Sequence, residues 1–281
     1  MRVGNYDVRA LDGGRFRLDG GAMFGIIPKA LWSRTNPSDE QNRIELALRV
    51  MLIRGEGRVI LVDTGIGTKW DSKFREIYAV DQTRNSLQNS LESFGLKPAD
   101  ITDVIITHLH FDHVGGAVSV DKDRKIVPAF SNAVYHIQKR QYEWALKPTE
   151  KDQASFIMEN FVPIWESGQV NFLDGEVELY PGIFIKLSDG HTIAQQLVII
   201  RGDGVTIFHP GDMIPTSTHV QLPYIMGYDN YPLITLEEKK RYLSRCVDER
   251  WVVFFEHDPL VDGAYIERTG KGFRAGHVVS F

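Results

Sequence analysis

The chain has 281 residues, of which 43% are hydrophobic and 25% charged, and its net charge is −5. This composition is that of a globular protein with a sizeable core, and it lacks the basic balance of a nucleic-acid-binding protein. Because there is one cysteine, Cys246, no intrachain disulfide is possible, and we expect this thiol to be buried and inert. The N-terminal residues lack the apolar run of a signal peptide and no segment is apolar enough to span a bilayer, so we expect a cytoplasmic protein without membrane contact.

Strands and helices alternate in the first half of the chain. We predict strands over residues 3–10, 44–53, 58–62, 104–107 and 133–137, and helices over residues 85–94, 139–146 and 152–165. The two strands on either side of Gly55 and Gly57 have the pattern of a hairpin. We expect Asn85 to cap the first of the helices.

The second half repeats this alternation. We predict strands over residues 177–180, 183–187, 196–200, 205–208 and 251–255. Thr235 and Glu238 have the spacing of a capping box, which predicts a helix from Thr235 to about Asp248. Because strands precede helices in both halves, we expect an α/β protein in which two sheets are faced by helices within one domain, residues 1–281.

The stretch THLHFDHVGG, residues 107–116, contains three histidines and one aspartate within six residues. His108 and His110 stand on the same side of an extended segment at the carboxyl end of a predicted strand. Asp112 and His113 follow at once, and two glycines then allow a tight turn. Imidazoles this close repel one another when protonated, whereas neutral imidazole and carboxylate are good zinc ligands. The spacing therefore predicts a metal site rather than a polar surface cluster.

Further candidate ligands follow predicted strands elsewhere in the chain. They are His191, Asp212 and His257, and each has glycine or proline close by in the sequence. An aspartate in such a turn is usually only a turn residue. The recurrence of such residues alongside the strong cluster is what favours a ligand role for these three. Seven ligands are too many for one tetrahedral zinc, and they suit two metals with one shared carboxylate.

The order of these motifs resembles the metallo-β-lactamase superfamily. The resemblance consists of HxHxDH at residues 108–113, Gly190-His191-Thr192, Gly211-Asp212, the late His257, and an early Asp-Thr-Gly turn that begins at Asp63. It implies an αββα sandwich, that is, two mixed sheets flanked by helices, with the metals at the shared edge of the sheets.

The resemblance also implies a role for each candidate ligand. One metal would be held by His108, His110 and His191, the other by Asp112, His113 and His257, with Asp212 as the bridge. Asp63 would orient a ligand by hydrogen bonding. We expect two divalent ions, with zinc preferred and iron, manganese or cobalt as alternatives.

Within the superfamily the sequence is most similar to the quorum-quenching lactonases and the related organophosphate hydrolases, through residues 24–29, Leu31-Trp32 and the hairpin before Asp63. It departs from many acyl-homoserine lactonases at Pro215, where they carry a tyrosine that helps to bind the substrate carbonyl. Residues in the N-terminal segment and in the segment after Pro215 are the expected substrate contacts. They are Phe24, Ile26, Trp32, His219, Tyr224 and Tyr228, with Leu222, Ile225 and Met226 as further apolar candidates.

The resemblance and the two-metal ligand set predict hydrolysis of an ester or lactone that carries an apolar acyl or aryl group. Asp112 and Asp212 are the carboxylates that we assign to catalysis, and a homodimer is plausible. The alternatives are a mono-iron persulfide dioxygenase, which has the same HxHxDH run, and a thioester hydrolase similar to glyoxalase II. The acidic net charge disfavours a nuclease. A β-lactamase is also disfavoured, because Asp212 stands where the commonest zinc β-lactamases have cysteine.

Three histidines receive no ligand role. We expect His136 and His209 to be structural and His277 to lie on the surface. A non-catalytic binding protein with the same fold would usually have lost ligands, and this chain keeps all seven.

Overall fold

The computed structural model describes residues 1–281 and contains sixteen strands and eight α-helices. The strands are β1 (Arg2–Val3), β2 (Tyr6–Asp19), β3 (Arg43–Gly55), β4 (Arg58–Val62), β5 (Asp103–Ile105), β6 (Val118–Val120), β7 (Ile126–Pro128), β8 (Val134–Gln138), β9 (Val170–Leu173), β10 (Val177–Tyr180), β11 (Ile183–Ser188), β12 (Gln195–Gly202), β13 (Val205–His209), β14 (Val252–Phe254), β15 (Gly263–Thr269) and β16 (Gly272–Val279). The helices are α1 (Gly20–Phe24), α2 (Lys29–Trp32), α3 (Ser72–Ile77), α4 (Leu87–Ser93), α5 (Phe111–Val114), α6 (Lys139–Leu146), α7 (Val162–Glu166) and α8 (Pro232–Asp248). None of these helices has the length and apolar character that a membrane crossing requires.

Two seven-stranded sheets carry the fold. The first has the order β1-β2-β3-β4-β5-β8-β9, and its strands from β4 onward are parallel. The second has the order β10-β11-β12-β13-β14-β15-β16 and is antiparallel except between β13 and β14. A separate hairpin is formed by β6 and β7. The predicted arrangement of two mixed sheets flanked by helices is confirmed.

The core between the sheets follows from the alternation of side chains along buried strands. In β3, Met51 and Ile53 pack with Ile185 and Val198 of the second sheet, whereas Val50 and its alternate neighbours pack on the opposite face. That opposite face is covered by α4, α6 and α7, and the outer face of the second sheet is covered by α8. A strand such as β3 is buried on both faces because it lies inside this layered structure, which explains its continuous apolar run.

Most predicted elements lie where the pattern placed them. The strand over 58–62 and the helix over 139–146 agree with the structure to the residue. The helix predicted from Asn85 begins at Leu87 instead, because Ser86 is its cap and accepts a hydrogen bond from the Asn89 N–H. The side chain of Asn85 donates to Asp12.

Two helix predictions are wrong in their extent. Residues 152–165 are not one helix but two 3₁₀ turns followed by α7, because Asp152 binds Thr149 behind it and Pro163 lies in the first turn of a new helix that begins at Val162. The capping box at Thr235 is also wrong, since α8 begins at Pro232 and the Thr235 hydroxyl bonds elsewhere.

One edge of the sandwich collects the carboxyl ends of several strands. In the first sheet β4 and β5 are parallel, and in the second sheet β11, β13 and β14 run in one direction. Each of these five strands is followed within a few residues by one of the candidate side chains. The sequence pattern thus delivers them to a single place, where the two sheets meet.

Candidate metal centre

Seven buried side chains converge at this edge: His108, His110, Asp112, His113, His191, Asp212 and His257. They form overlapping groups of three whose nitrogen and oxygen atoms lie within 4.8 Å of one another. The structure therefore brings together every residue that the sequence analysis named as a candidate ligand.

The first group consists of three imidazoles. His108 Nε2 lies 3.0 Å from His110 Nδ1, and His191 Nε2 lies 3.1 Å from the same His110 atom. The group joins the loop after β5 in the first sheet to the loop after β11 in the second. Three imidazole nitrogens at these separations could hold one divalent ion.

The second group contains two imidazoles and one carboxylate. His113 Nε2 lies 3.1 Å from His257 Nε2, and Asp112 Oδ2 lies 3.8 Å and 3.6 Å from these two nitrogens. Asp112 and His113 lie in the short helix α5, whose four residues are all buried. This group could hold a second ion.

Asp212 lies between the two groups. Its Oδ1 is 3.2 Å from His257 Nε2 and 3.4 Å from His113 Nε2, while its Oδ2 is 3.4 Å from His191 Nε2. Oδ1 is buried without a hydrogen-bond partner. One carboxylate oxygen thus faces each group, which is the arrangement that a shared ligand needs.

Neighbouring acceptors fix the other nitrogen of most of these imidazoles. His113 Nδ1 lies 3.0 Å from Asp63 Oδ2, His191 Nδ1 lies 2.9 Å from Asp229 Oδ1, and His257 Nδ1 lies 2.8 Å from the Ala47 carbonyl oxygen. Each Nδ1 therefore carries the proton and donates it outward. The Nε2 lone pairs then point inward at one another.

Asp63 has the position that the sequence analysis gave it, beside a candidate ligand. It follows β4 with a φ of 60°, a left-handed conformation that a strand-end turn imposes on it. Its carboxylate also accepts hydrogen bonds from the Thr107 N–H at 2.7 Å and the Thr107 hydroxyl at 2.6 Å. These contacts hold the carboxylate against His113.

The donor set fits divalent cations on chemical grounds. Burial and the neighbouring imidazoles hold the pKa of His108 and of His110 well below their usual range, so both are neutral ligands. Burial lowers the pKa of His257, but Asp212 outweighs it and raises the pKa to about 9. At neutral pH the inward Nε2 of His257 therefore keeps a proton beside Asp212. A bound cation would take the place of that proton.

Sequence reasoning missed two carboxylates behind the cluster. Asp229 holds His191 and is itself bound by the Thr235 hydroxyl at 2.8 Å. Glu256 Oε1 lies 3.2 Å from His113 Nδ1, and burial raises the pKa of Glu256 to about 8. No motif marks Asp229, whereas Glu256 could have been suspected because it directly precedes His257.

The remaining histidines and the cysteine lie away from the inward cluster. His136 is bound by Asp103, and His209 Nδ1 accepts a hydrogen bond from the Gly211 N–H, so each has a structural partner. His277 is exposed. Cys246 is buried, and burial raises the pKa of its thiol.

A cavity of about 220 Å³ opens beside the cluster. His110, Asp112, His191, Asp212 and His257 form its polar floor. Most of its walls are apolar, from Leu18, Met23, Leu46, Phe111, Ala154 and Met226. It is suited to a small ligand with an apolar part.

Of the six expected substrate residues, only Tyr228 lines this cavity. Phe24 and Trp32 are fully buried and stack on each other at 5.2 Å, and His219 stacks on Phe24 at 4.8 Å. Tyr224 meets Phe24 edge-on, and Ile26 is 88% exposed. These five therefore lie outside the walls of the cavity.

Residues 47–257 match the family model of the metallo-beta-lactamase superfamily, and the chain belongs to that family. The fold agrees with this membership, and both the predicted family and the predicted fold are confirmed.

Several relatives of the chain are hydrolases. An N-acyl homoserine lactonase from Bacillus cereus is 26% identical over 229 residues, which cover 77% of this chain and 83% of that protein. A probable metal-dependent hydrolase from Staphylococcus aureus superposes with a TM-score of 0.89 at 27% identity, covering 100% of this chain and 99% of the other. AidC, a dizinc quorum-quenching lactonase, has the same fold, with a TM-score of 0.81 at 20% identity over 100% and 97% of the two chains.

Proposed function

We propose that the protein is a dinuclear metal-dependent hydrolase that cleaves an ester or lactone bond, as acyl-homoserine lactonases do. The observation that carries the proposal is the position of Asp212, whose two oxygens face two separate groups of buried ligands. The relationship to N-acyl homoserine lactonases over most of the chain supports the reaction class.

Each group of ligands would hold one ion. His108, His110 and His191 would bind the first, Asp112, His113 and His257 the second, and Asp212 would contact both. Ions bound here would supply Lewis acidity, which makes water nucleophilic at neutral pH and polarises an acyl carbonyl. We prefer zinc, with iron, manganese or cobalt as alternatives.

The chain's own residues then complete the reaction. Asp212 lies at the floor of the cavity and can accept the proton that the attacking water loses. It can return that proton to the leaving oxygen when the acyl carbon–oxygen bond breaks. Asp112 is the second carboxylate of the floor and would hold its ion and the attacking water in place. The products are a carboxylate and an alcohol, or one hydroxy acid from a lactone.

Two tyrosines can provide the hydrogen bond that Pro215 cannot. Tyr78 and Tyr228 both line the cavity, and neither hydroxyl makes a hydrogen bond within the protein. Burial raises the pKa of both phenols, so each remains an O–H donor at neutral pH. Such a donor can bind the carbonyl oxygen as it gains negative charge.

The test is metal analysis combined with hydrolysis. Protein purified without added metal should contain about two zinc-like ions per chain, as the two ligand groups predict. It should open N-hexanoyl-homoserine lactone, with the carboxylate product measured by proton release. Chelation and His110→Ala should each abolish this activity, and zinc should restore it only in the chelated wild type.

Retained hydrolysis in both the chelated protein and His110→Ala would overturn the proposal. A single iron per chain, together with oxygen uptake in the presence of glutathione persulfide, would replace it with the dioxygenase reaction. His277→Ala is the matched control, because His277 is exposed and distant from the ligand groups along the sheet order.

A further inference from the structure

The cavity beside the ligand groups contains a cation that has no anionic partner. Lys151 lines this cavity together with His110 and His191, and it takes part in no ion pair of the chain. Apart from the histidines, the other ionisable acids and bases of the lining are Asp112, Asp152, Asp212 and the two tyrosines. A lysine that binds no protein carboxylate is free to bind one from a ligand.

The ammonium of Lys151 is held in place by neutral acceptors. Its Nζ donates to the Tyr228 carbonyl oxygen at 2.9 Å and to Asn230 Oδ1 at 3.2 Å. An ammonium has three N–H donors, so one remains free. The two contacts tie the lysine to the segment that forms the cavity wall at Tyr228.

The acidic neighbour of Lys151 is already engaged. Asp152 Oδ1 accepts from the Thr149 N–H and hydroxyl, and its Oδ2 accepts from Trp144 Nε1 and Asn230 Nδ2. Although burial opposes ionisation, these hydrogen bonds lower the pKa of Asp152 and keep it a carboxylate. Because Asn230 bonds both Asp152 and Lys151, Asp152 positions the lysine through Asn230 instead of neutralising it directly.

We infer that the substrate carries an anionic group, most simply a free carboxylate on the acyl side in addition to the ester or lactone. This group binds Lys151 while the scissile carbonyl lies over the ligand groups. This inference rests on the proposed hydrolase function and narrows its substrate class to anionic esters or lactones. Hydrolysis itself is unchanged, with water adding to the acyl carbon and its proton passing to the leaving oxygen.

The test compares esters that differ only in this charge. The mono-4-nitrophenyl esters of adipic and suberic acid are anionic, and 4-nitrophenyl hexanoate and octanoate are their neutral counterparts. With zinc-loaded wild type we expect kcat/KM to favour an anionic ester over its counterpart by about fivefold to tenfold, the effect of one partly exposed charge-assisted hydrogen bond. The preference should shrink as salt is added.

Lys151→Met should reduce this ratio to about one. Lys147→Met is the matched control and should keep the wild-type ratio, since Lys147 is exposed nearby and does not line the cavity. Lys151→Arg should restore part of the preference. Circular dichroism of each variant checks that it folds.

The outcomes separate this inference from the function on which it rests. Hydrolysis of both esters without an anionic preference, or with a preference that persists in Lys151→Met, overturns the inference and leaves the hydrolase standing. If neither ester is hydrolysed, the assay with N-hexanoyl-homoserine lactone decides about the hydrolase proposal, and calorimetry with adipate decides about Lys151. Adipate that binds wild type more tightly than Lys151→Met supports an anion site, and equal binding by the two proteins rejects it.

Discussion

At the scale of single residues, the site depends on which nitrogen of each imidazole points inward. That choice is made outside the cluster, by carboxylates and carbonyls such as Asp63, Asp229 and the Ala47 oxygen. Partners of this kind fix the ring orientation and strengthen the ligand. The ligands alone therefore do not define the centre.

Asp229→Asn should weaken metal binding by the first group. The amide keeps the size of the side chain but loses the charge that holds the His191 Nδ1 proton, so we expect affinity for one of two ions to fall about tenfold to a hundredfold. Competition with a chromophoric chelator measures this. Asp248→Asn is the control, since Asp248 is exposed and pairs with Arg268. Unchanged affinity of both ions in Asp229→Asn would contradict the role.

Tyr228→Phe should reduce turnover of the lactone about tenfold to a hundredfold, because the phenol is a donor to the carbonyl in an apolar wall. The loss should appear mainly in kcat, and metal content should stay constant. Tyr224→Phe is the control, since this ring packs against Phe24 and does not line the cavity. Full activity in Tyr228→Phe would mean that Tyr78 provides the hydrogen bond to the carbonyl or that the reaction does not need this bond.

The convergence of the seven candidate ligands was predictable from sequence, while the residues that orient them were largely not. The run from His108 to His113 is local in the sequence, and its spacing alone predicts a metal site. Asp229 lies 38 residues from His191, and the pairing exists only because the loop after β11 packs against the start of α8. Glycine at position 190 allows this contact, because a Cβ there would meet Thr235 atoms at 2.4 Å to 2.8 Å.

At the scale of elements, α8 supports the site from behind. Thr235 and Lys239 are four residues apart and so lie on one face of the helix. Thr235 binds Asp229, and Lys239 Nζ donates to the carbonyl oxygens of Gln221 and Tyr224 at 2.9 Å and 2.7 Å. The helix thus holds both ends of the segment that contributes Met226 and Tyr228 to the cavity.

This support explains why the capping-box prediction failed. Thr235 and Glu238 have the right spacing for a cap, but both side chains serve tertiary contacts: Thr235 binds Asp229, and Glu238 accepts from the Ser188 hydroxyl at 2.5 Å. A local motif cannot reveal such partners. The long predicted helix at 152–165 failed for a similar reason, since Asp152 is used by Trp144 and Asn230.

Lys239→Met should change the pH dependence of stability. Burial lowers the pKa of Lys239 to about 7, whereas the unfolded chain keeps a pKa near 10.5. A depressed pKa means that the unfolded state binds more protons between these values, so this group makes stability rise with pH through that window and has no further effect below pH 7, where both states are protonated. From pH 7 to 9 wild type should gain about 2 kcal/mol relative to Lys239→Met.

Equilibrium urea unfolding at the two pH values measures this difference. Lys240→Met provides the control, because Lys240 is exposed and pairs with Glu237. Hydrogen exchange over residues 221–231 should also quicken in Lys239→Met, since two carbonyls lose their donor. Equal pH slopes for wild type and Lys239→Met would show that the buried amine keeps its charge.

At the scale of the whole molecule, the two sheets are joined by polar contacts at both ends of β5. At the carboxyl end, the ligand groups combine His108 to His113 from the first sheet with His191, Asp212 and His257 from the second. At the amino end, Asp103 Oδ1 accepts from the Tyr180 hydroxyl of β10 at 2.5 Å and lies 2.8 Å from His136 Nε2.

The Asp103 contact should support stability above acid pH. Burial opposes ionisation of Asp103, but hydrogen bonds from His136, Thr102, Tyr180 and Arg58 hold its pKa well below the usual range. A depressed carboxyl pKa gives stability that is present above the unfolded value of about 3.9 and is lost as pH falls below it. Metal-free Asp103→Asn should be about 3 kcal/mol less stable than wild type at pH 7. The difference in unfolding free energy between the two proteins should narrow by pH 3, and urea unfolding would measure it.

Metal removal and Asp103→Asn should destabilise the protein independently. Ions present at about a thousand times their dissociation constant stabilise the folded chain by about 4 kcal/mol for each site that they occupy, because the unfolded chain lacks the assembled site. Since the two contacts lie at opposite ends of β5 and share no side chain, the losses should add to within about 0.5 kcal/mol. Urea unfolding of wild type and Asp103→Asn, each with zinc and after chelation, completes the cycle. A coupling free energy well above that value would mean that the two sheets separate as a unit. Loss of the contacts at one end of β5 would then also break the contacts at the other end.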